Sequence, residues 1–189
     1  RKLIKLKFID NFLIFKHVEN SFINNLEDNL DLNYNNLFYL HSMLPKGRPF
    51  KNNDCSIKND LTNFNFKQNY SDNLKCAENI LYNLISKIIN FYNKNKHDLI
   101  IIVQSDHGTF SRGQSNRSLY NLTTEEINES LQNFTAIYTS SKCEYKNLDL
   151  SQVNVFRFIY NCISNDKIEY LSDKSYWGFY DSDKIIEIN

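Results

Sequence analysis

The chain is short of the residues that punctuate a fold, holding 4 Gly, 2 Pro, 1 Met and 1 Trp in 189 residues. Both prolines, Pro45 and Pro49, stand in one segment, and no Gly/Ser-rich or Pro-rich stretch and no internal repeat divides the sequence. A single domain is the reading, in keeping with the usual size of one core. Charge of either sign is lacking in excess: 22 basic residues balance 22 acidic ones. That balance excludes a positive field able to gather nucleic acid or anionic lipid non-specifically, and no nucleic-acid partner is expected. No run approaches the roughly 18 apolar residues of a membrane span. Nothing after Arg1 has the layout of a signal peptide, so the chain reads as soluble as given. A C-x-x-C pair is also missing, which argues against zinc-ribbon and thioredoxin readings. The four cysteines, Cys55, Cys76, Cys143 and Cys162, allow three pairings if all are bonded, and reduced, partly buried thiols are the other option.

Apolar material is plentiful, with 41% hydrophobic residues, 14 Phe and 12 Tyr, so the chain is expected to bury a core. Asparagine dominates at 29 residues, interleaved with apolar positions rather than massed in a polar tract. That distribution reads as coding bias, not as an aggregation-prone segment. It also generates N-x-[ST] triplets at Asn69, Asn116, Asn121, Asn128 and Asn133. Chance alone predicts roughly three or four such triplets, and none is read as a glycosylation site.

Hydrophobic spacing places the elements. Residues 3–15 alternate apolar and basic side chains too irregularly to choose between helix and strand, and 18–30 has helix-like spacing at Phe22, Leu26 and Leu30. The run Leu37-Phe38-Tyr39-Leu40 reads as a buried strand. Residues 71–94 form the clearest helix, with Leu74, Ala77, Leu81, Leu84, Ile85, Ile88 and Tyr92 on its apolar face. The continuous run Leu99-Ile100-Ile101-Ile102-Val103 has the character of a central parallel strand covered on both faces. Strand, helix and strand then make a right-handed crossover, and the class is α/β. Further along, Thr123 and Glu126 suit a capping box, and 134–138 reads as a strand. Val153, Phe156, Ile159, Tyr160 and Ile163 make an amphipathic stripe, and 184–188 is strand-like.

Two clusters carry chemistry, each directly after a predicted strand, the edge on which α/β sheets place their ligands. Gln104-Ser105-Asp106-His107-Gly108-Thr109 offers a hard carboxylate oxygen beside an imidazole, a pair suited to Zn or Mn, with a glycine where backbone or substrate must come close. The same residues also suit a loop in which Asp and His only cap the next element. In His41-Ser42-Met43-Leu44-Pro45-Lys46-Gly47-Arg48-Pro49-Phe50, one His, one Lys and one Arg can hold an oxyanion, and His41 can protonate a leaving oxygen. On composition alone this is equally a solvated basic loop shaped by two prolines.

Together these segments resemble the sulfatase-like part of the alkaline phosphatase superfamily. The strand ending at His41 and Leu44-Pro45, the long helix with Cys76 near its start, and Ile101-Ile102-Val103-Gln104-Ser105-Asp106-His107-Gly108 follow the order and spacing of that family. Val153-Asn154-Val155-Phe156-Arg157 and the segment 170–176 look like the C-terminal part of bacterial sulfatase-like membrane-anchored proteins. The resemblance runs from about Leu37 to the end, leaving 1–36 unassigned. It implies an α/β/α sandwich with a largely parallel central sheet, incomplete on its N-terminal side. It also implies a metal-dependent hydrolase or transferase of phosphate or sulfate esters, the transferases being of the phosphoethanolamine or phosphoglycerol type. Asp106 and His107 are carried over as ligands of a divalent metal (Zn, Mn, Ca or Mg). His41 is carried over as the catalytic residue at the leaving group, with Lys46 and Arg48 as binders of the anionic ester.

Two departures qualify the match. Lys46 stands where relatives often have His, and a lysine can hold an anion but cannot act as a neutral base near pH 7. The nucleophilic Thr or Ser and its acidic neighbour have no counterpart before Leu37, so the chain is expected to be a C-terminal fragment whose missing N-terminal half is its partner. Two ligands fall short of the three a catalytic zinc site usually has, so weak metal binding and no turnover are expected of the chain alone. A non-catalytic binding or scaffold domain derived from this fold is the alternative. Similar cysteines in the family imply the pairs Cys55 with Cys76 and Cys143 with Cys162. With them comes a periplasmic or extracellular setting, attached to a membrane only through upstream segments. His17 and His97 read as surface or loop residues, Tyr176 and Trp177 as core packing before a sugar-stacking platform, and Ser105 as a loop hydroxyl.

Overall fold

The computed structural model describes residues 4–9, 35–46, 50–59, 65–110, 121–140, 143, 150–164, 166–179 and 182–188. The chain gathers into two compact units, Arg1–Lys96 and His97–Asn189, and both mix helix with strand, an α/β organisation in general terms. No helix among the described residues is long and apolar enough to cross a membrane.

In the first unit, β1 (Ile4–Ile9) pairs in parallel with β2 (Asn35–Leu40), from Ile4 opposite Asn35 to Ile9 opposite Leu40. The ambiguous stretch 3–15 therefore contains a strand, and the helical spacing over 18–30 lies outside the described residues. Side chains alternate along β2 as the pleat requires. Phe38 and Leu40 pack on Leu84 with Ile88 and Tyr92, while Leu37 and Tyr39 are half exposed. The strand is thus buried on one face rather than two.

Helix α1 (Phe66–Asn95) starts five residues earlier than its apolar pattern predicts. Asn65 caps it by accepting the Gln68 amide, and Lys96 ends it in the left-handed region at φ 54°. Its buried stripe runs through Asn69, Asp72, Asn73, Cys76 and Leu84, polar at the start and apolar later, whereas the predicted Leu74 is exposed. The polar half is buried because Pro45, Lys51 and Lys58 satisfy it. Fully buried Asn73 accepts the Lys51 amide at 2.6 Å and donates to the Pro45 carbonyl at 3.1 Å. Lys58 Nζ reaches Asn69 Oδ1 at 2.8 Å and Asp72 Oδ2 at 2.5 Å, and Gln68 donates to the other Asp72 oxygen. The Lys58 hydrogen bond holds the Asp72 carboxyl below its ordinary pKa, against an opposing effect of burial. Cys55 and Cys76 form a disulfide with Cα atoms 5.0 Å apart.

In the second unit, β3 (Ile100–Gln104) pairs with β4 (Thr135–Thr139), and the ladder is antiparallel, with Ile100 opposite Thr139. The parallel neighbour expected of its apolar run is not the partner it takes here, and residues 100–103 are half-buried rather than buried. Between the strands lies α2 (Thr124–Leu131), which opens with the expected capping box: the Glu126 carboxylate accepts the Thr123 amide, and Thr123 Oγ1 accepts the Glu126 amide. Helix α3 (Gln152–Ile163) buries Asn154, Val155, Phe158 and Ile159. Of the predicted stripe only Ile159 is buried, and Val153, Phe156, Tyr160 and Ile163 form an exposed row on another face. An extended segment is laced to α3 instead: Asn154 exchanges two hydrogen bonds with the Leu171 backbone, Asn161 does the same with Ile168, and Arg157 donates to the Glu169 carbonyl. Cys143 and Cys162 form the second disulfide, with Cα atoms 5.4 Å apart. The chain closes with an antiparallel hairpin of β5 (Ser175–Phe179) and β6 (Ser182–Ile188), its register shifting at Gly178/Phe179.

Candidate metal centre

The loop leaving β3 is fixed from both sides. Ser105 donates its amide to the Phe134 carbonyl and accepts the Phe134 amide on Oγ, while its own carbonyl accepts from Gln152 Nε2. Ser105 is thus a loop hydroxyl, as its sequence context indicates. Three residues on, Gly108 donates to the Ser130 carbonyl at 2.9 Å and Thr109 to the Glu129 carbonyl at 3.0 Å, so the loop lies directly on the end of α2. The approach is too close for a side chain, because a Cβ on Gly108 would overlap the Glu129 carbonyl and stand 2.6 Å from that of Gln132. The Thr109 hydroxyl adds a hydrogen bond to the Glu129 carboxylate. This is why glycine follows the Asp-His pair: the loop must touch backbone.

Asp106 and His107 sit between these two anchors. His107 is half-buried and Asp106 is exposed, with His107 Nε2 3.5 Å from Asp106 Oδ2. His107 Nδ1 lies 2.6 Å from the Gly108 carbonyl. A carbonyl can only accept, so that contact assigns the proton to Nδ1 in the neutral ring. In that tautomer Nε2 is an acceptor 3.5 Å from a carboxylate oxygen, whereas in a protonated ring the same contact is an ion pair. Two acceptors at this distance match a divalent cation between them, and an imidazole whose other N–H is held by a carbonyl is the usual form of a metal-bound histidine. The donor set fits half of such a site. Among the described residues no group of three or more His, Cys, Asp and Glu side chains gathers to complete it.

The other candidates stand in the first unit. His41 and Lys46 follow β2 on an exposed loop, in which the Leu44 amide donates to Ser42 Oγ and the Pro45 carbonyl accepts from Asn73. Arg48 and His17 lie outside the described residues, and His97 is half-buried at the start of the second unit. Sequence reasoning did not assign Phe110 a role, yet its ring lies against the His107 imidazole with centroids 4.8 Å apart. Trp177 of β5 meets Phe110 edge to face at 6.5 Å. No local pattern signals this contact, because it joins residues far apart in sequence.

Comparison with family models, with curated proteins and with solved structures finds no match for this chain.

Proposed function

We propose that Asp106 and His107 are two ligands of a divalent metal in a sulfatase-like hydrolase or transferase acting on phosphate or sulfate esters. The observation that carries the reading is the convergence of His107 Nε2 and Asp106 Oδ2 at 3.5 Å, with Nδ1 engaged by the Gly108 carbonyl. The resemblance in motif and spacing supports it, as do two disulfides, which fit the oxidising setting of a periplasmic or extracellular protein.

In this reading the chain is the C-terminal portion of an α/β/α sandwich with a largely parallel sheet, and the nucleophile and remaining ligands come from sequence outside it. A bound metal would polarise the ester oxygen and keep the nucleophile anionic. The residues here do the rest. The Gly108 carbonyl holds the His107 ring in one tautomer, the Asp106 carboxylate supplies negative charge at the same point, and Gly108 lets the loop rest on α2. By the resemblance alone, His41 is the expected proton donor to a leaving oxygen, and Lys46 and Arg48 are the expected holders of an anionic ester.

The test is a titration of the chain with Mn²⁺ followed by electron paramagnetic resonance. Weak binding is expected, abolished in Asp106→Asn and in His107→Ala. Binding unchanged by both substitutions, or none in the parent chain, would overturn the assignment. Absence of binding even when the upstream sequence is joined to the chain would favour a non-catalytic scaffold derived from the same fold, a reading that the pairing of only two donors among the described residues also fits.

A further inference from the structure

Helix α2 has little apolar packing to hold it. It is 8 residues long, and its two buried side chains, Glu126 and Ser130, are polar, while Ile127 and Leu131 are half-buried. Helices shorter than about 12–15 residues are marginal without such packing, because the first turn orders several residues for one hydrogen bond. What α2 has instead is a partner at each end. At its start the Thr123–Glu126 capping box serves the first amides. At its end the last four carbonyls lie beyond the reach of the helix's own amides, and three of them find donors elsewhere. Gln132 donates to the Asn128 carbonyl, and the other two donors come from the candidate metal loop: Thr109 to the Glu129 carbonyl and Gly108 to that of Ser130. The Thr109 hydroxyl braces the same turn through the Glu129 carboxylate. The loop thus caps the end of α2, and α2 is the floor on which the loop rests. These hydrogen bonds form only when both partners are ordered, so their free energy is shared between the two.

We propose that α2 and the loop 106–109 order cooperatively, so that Thr123 and Thr109, neither of them assigned as a metal ligand, are positioning residues for Asp106 and His107. The proposal takes its purpose from the metal-centre reading, but the coupling itself needs no metal. A weakening at the capping box must then reach the loop, and a weakening at Thr109 must reach the helix, as within any segment that opens as a whole.

The experiment measures amide hydrogen exchange by NMR in the metal-free chain, as protection factors of Gly108 and Thr109, of Ile127 and Gln132, and of Phe158 and Ile159 in α3 for reference. Thr123→Ala should lower the protection of Gly108, Thr109, Ile127 and Gln132 together by about three- to tenfold, the scale of one lost N-cap, and leave α3 unchanged. Thr123→Ser should restore all four. Thr109→Val, which keeps the shape of the side chain and removes its hydroxyl, should lower the same four amides. Loss of protection at Ile127 and Gln132 in Thr123→Ala with Gly108 and Thr109 unchanged would overturn the proposal. So would an equal loss in α3, or no change at any amide in either variant. Should Thr123→Ala fail to fold by circular dichroism, Thr109→Val decides the matter on the same amides. Zn²⁺ added to the parent chain should raise the protection of all four amides, since a ligand of the ordered loop stabilises whatever orders with it. If Zn²⁺ alters none of them, the metal reading fails while the two variants still decide the coupling.

Discussion

Both units fasten irregular segments to a helix, with one disulfide and with asparagines that bond to backbone, yet they bury opposite things. On α1 the fastened face is itself the interior: Asn69, Asp72, Asn73 and Cys76 are buried, and Pro45, Lys51 and Lys58 answer its polar groups. On α3 the interior is apolar, through Val155, Phe158 and Ile159, and of the lacing residues only Asn154 is buried. An asparagine amide offers both a donor and an acceptor and so can take the place of a peptide unit opposite a backbone N–H or C=O. The difference lies in whether water can reach the partner when that asparagine is removed.

The comparison breaks most visibly on α3. Phe158→Ala empties a buried position and is expected to cost about 3–5 kcal/mol, whereas Phe156→Ala, at an exposed position, should stay within about 0.5 kcal/mol. Urea unfolding of the two variants measures the contrast, and equal losses would mean that the exposed row is covered. The disulfides come next. They close loops of similar length, with sequence separations of 21 and 19, so chain entropy assigns each about 3 kcal/mol. Cys76 is fully buried and Cys162 is not, so Cys76→Ser should destabilise more than Cys162→Ser by thermal denaturation. Smaller effects separate the asparagines. Asn73→Ala, losing two hydrogen bonds in a buried place, should cost about 2–3 kcal/mol, and Asn154→Ala about 1–2 kcal/mol because the Leu171 backbone is open to water.

The smallest effect is a pH dependence confined to α1. The Asp72 carboxyl is held below its ordinary pKa in the fold, so its contribution is complete above the unfolded value of about 3.9 and is lost as pH falls through the lower folded value. The protection factors of the amides in the first turns of α1, exchange rates taken relative to the unfolded chain at the same pH, should therefore fall on acidification below about pH 4, and Lys58→Met should flatten that response. An unchanged acid profile in Lys58→Met would remove the ion pair from the account.

These contrasts show what the sequence could disclose. The existence of α1, the strands near 37–40 and 99–103, and the capping box at Thr123 and Glu126 were legible because each rests on periodicity or local hydrogen-bonding chemistry. The buried face of the first turns of α1 was not, since apolarity points to Leu74 while the fold buries Asn69 and Asn73, whose partners come from another segment. The stripe on α3 misled for the same reason: the spacing is helical, but Val153, Phe156 and Ile163 are not the face that packs. At the candidate site, Asp106, His107 and Gly108 form a contiguous motif and could be singled out. Phe110 and Trp177 could not, because only the C-terminal hairpin brings them together.

Trp177 is the single tryptophan of the chain and lies in the second unit, whereas the longest helix among the described residues, with 30 residues against 8 and 12 in the other two described, lies in the first. Nature has in effect labelled the two units with different optical signals. Indole emission follows the second, and far-ultraviolet ellipticity is weighted toward the first. Coincident transitions on heating would make the two units one cooperative body, and separated transitions would make them two.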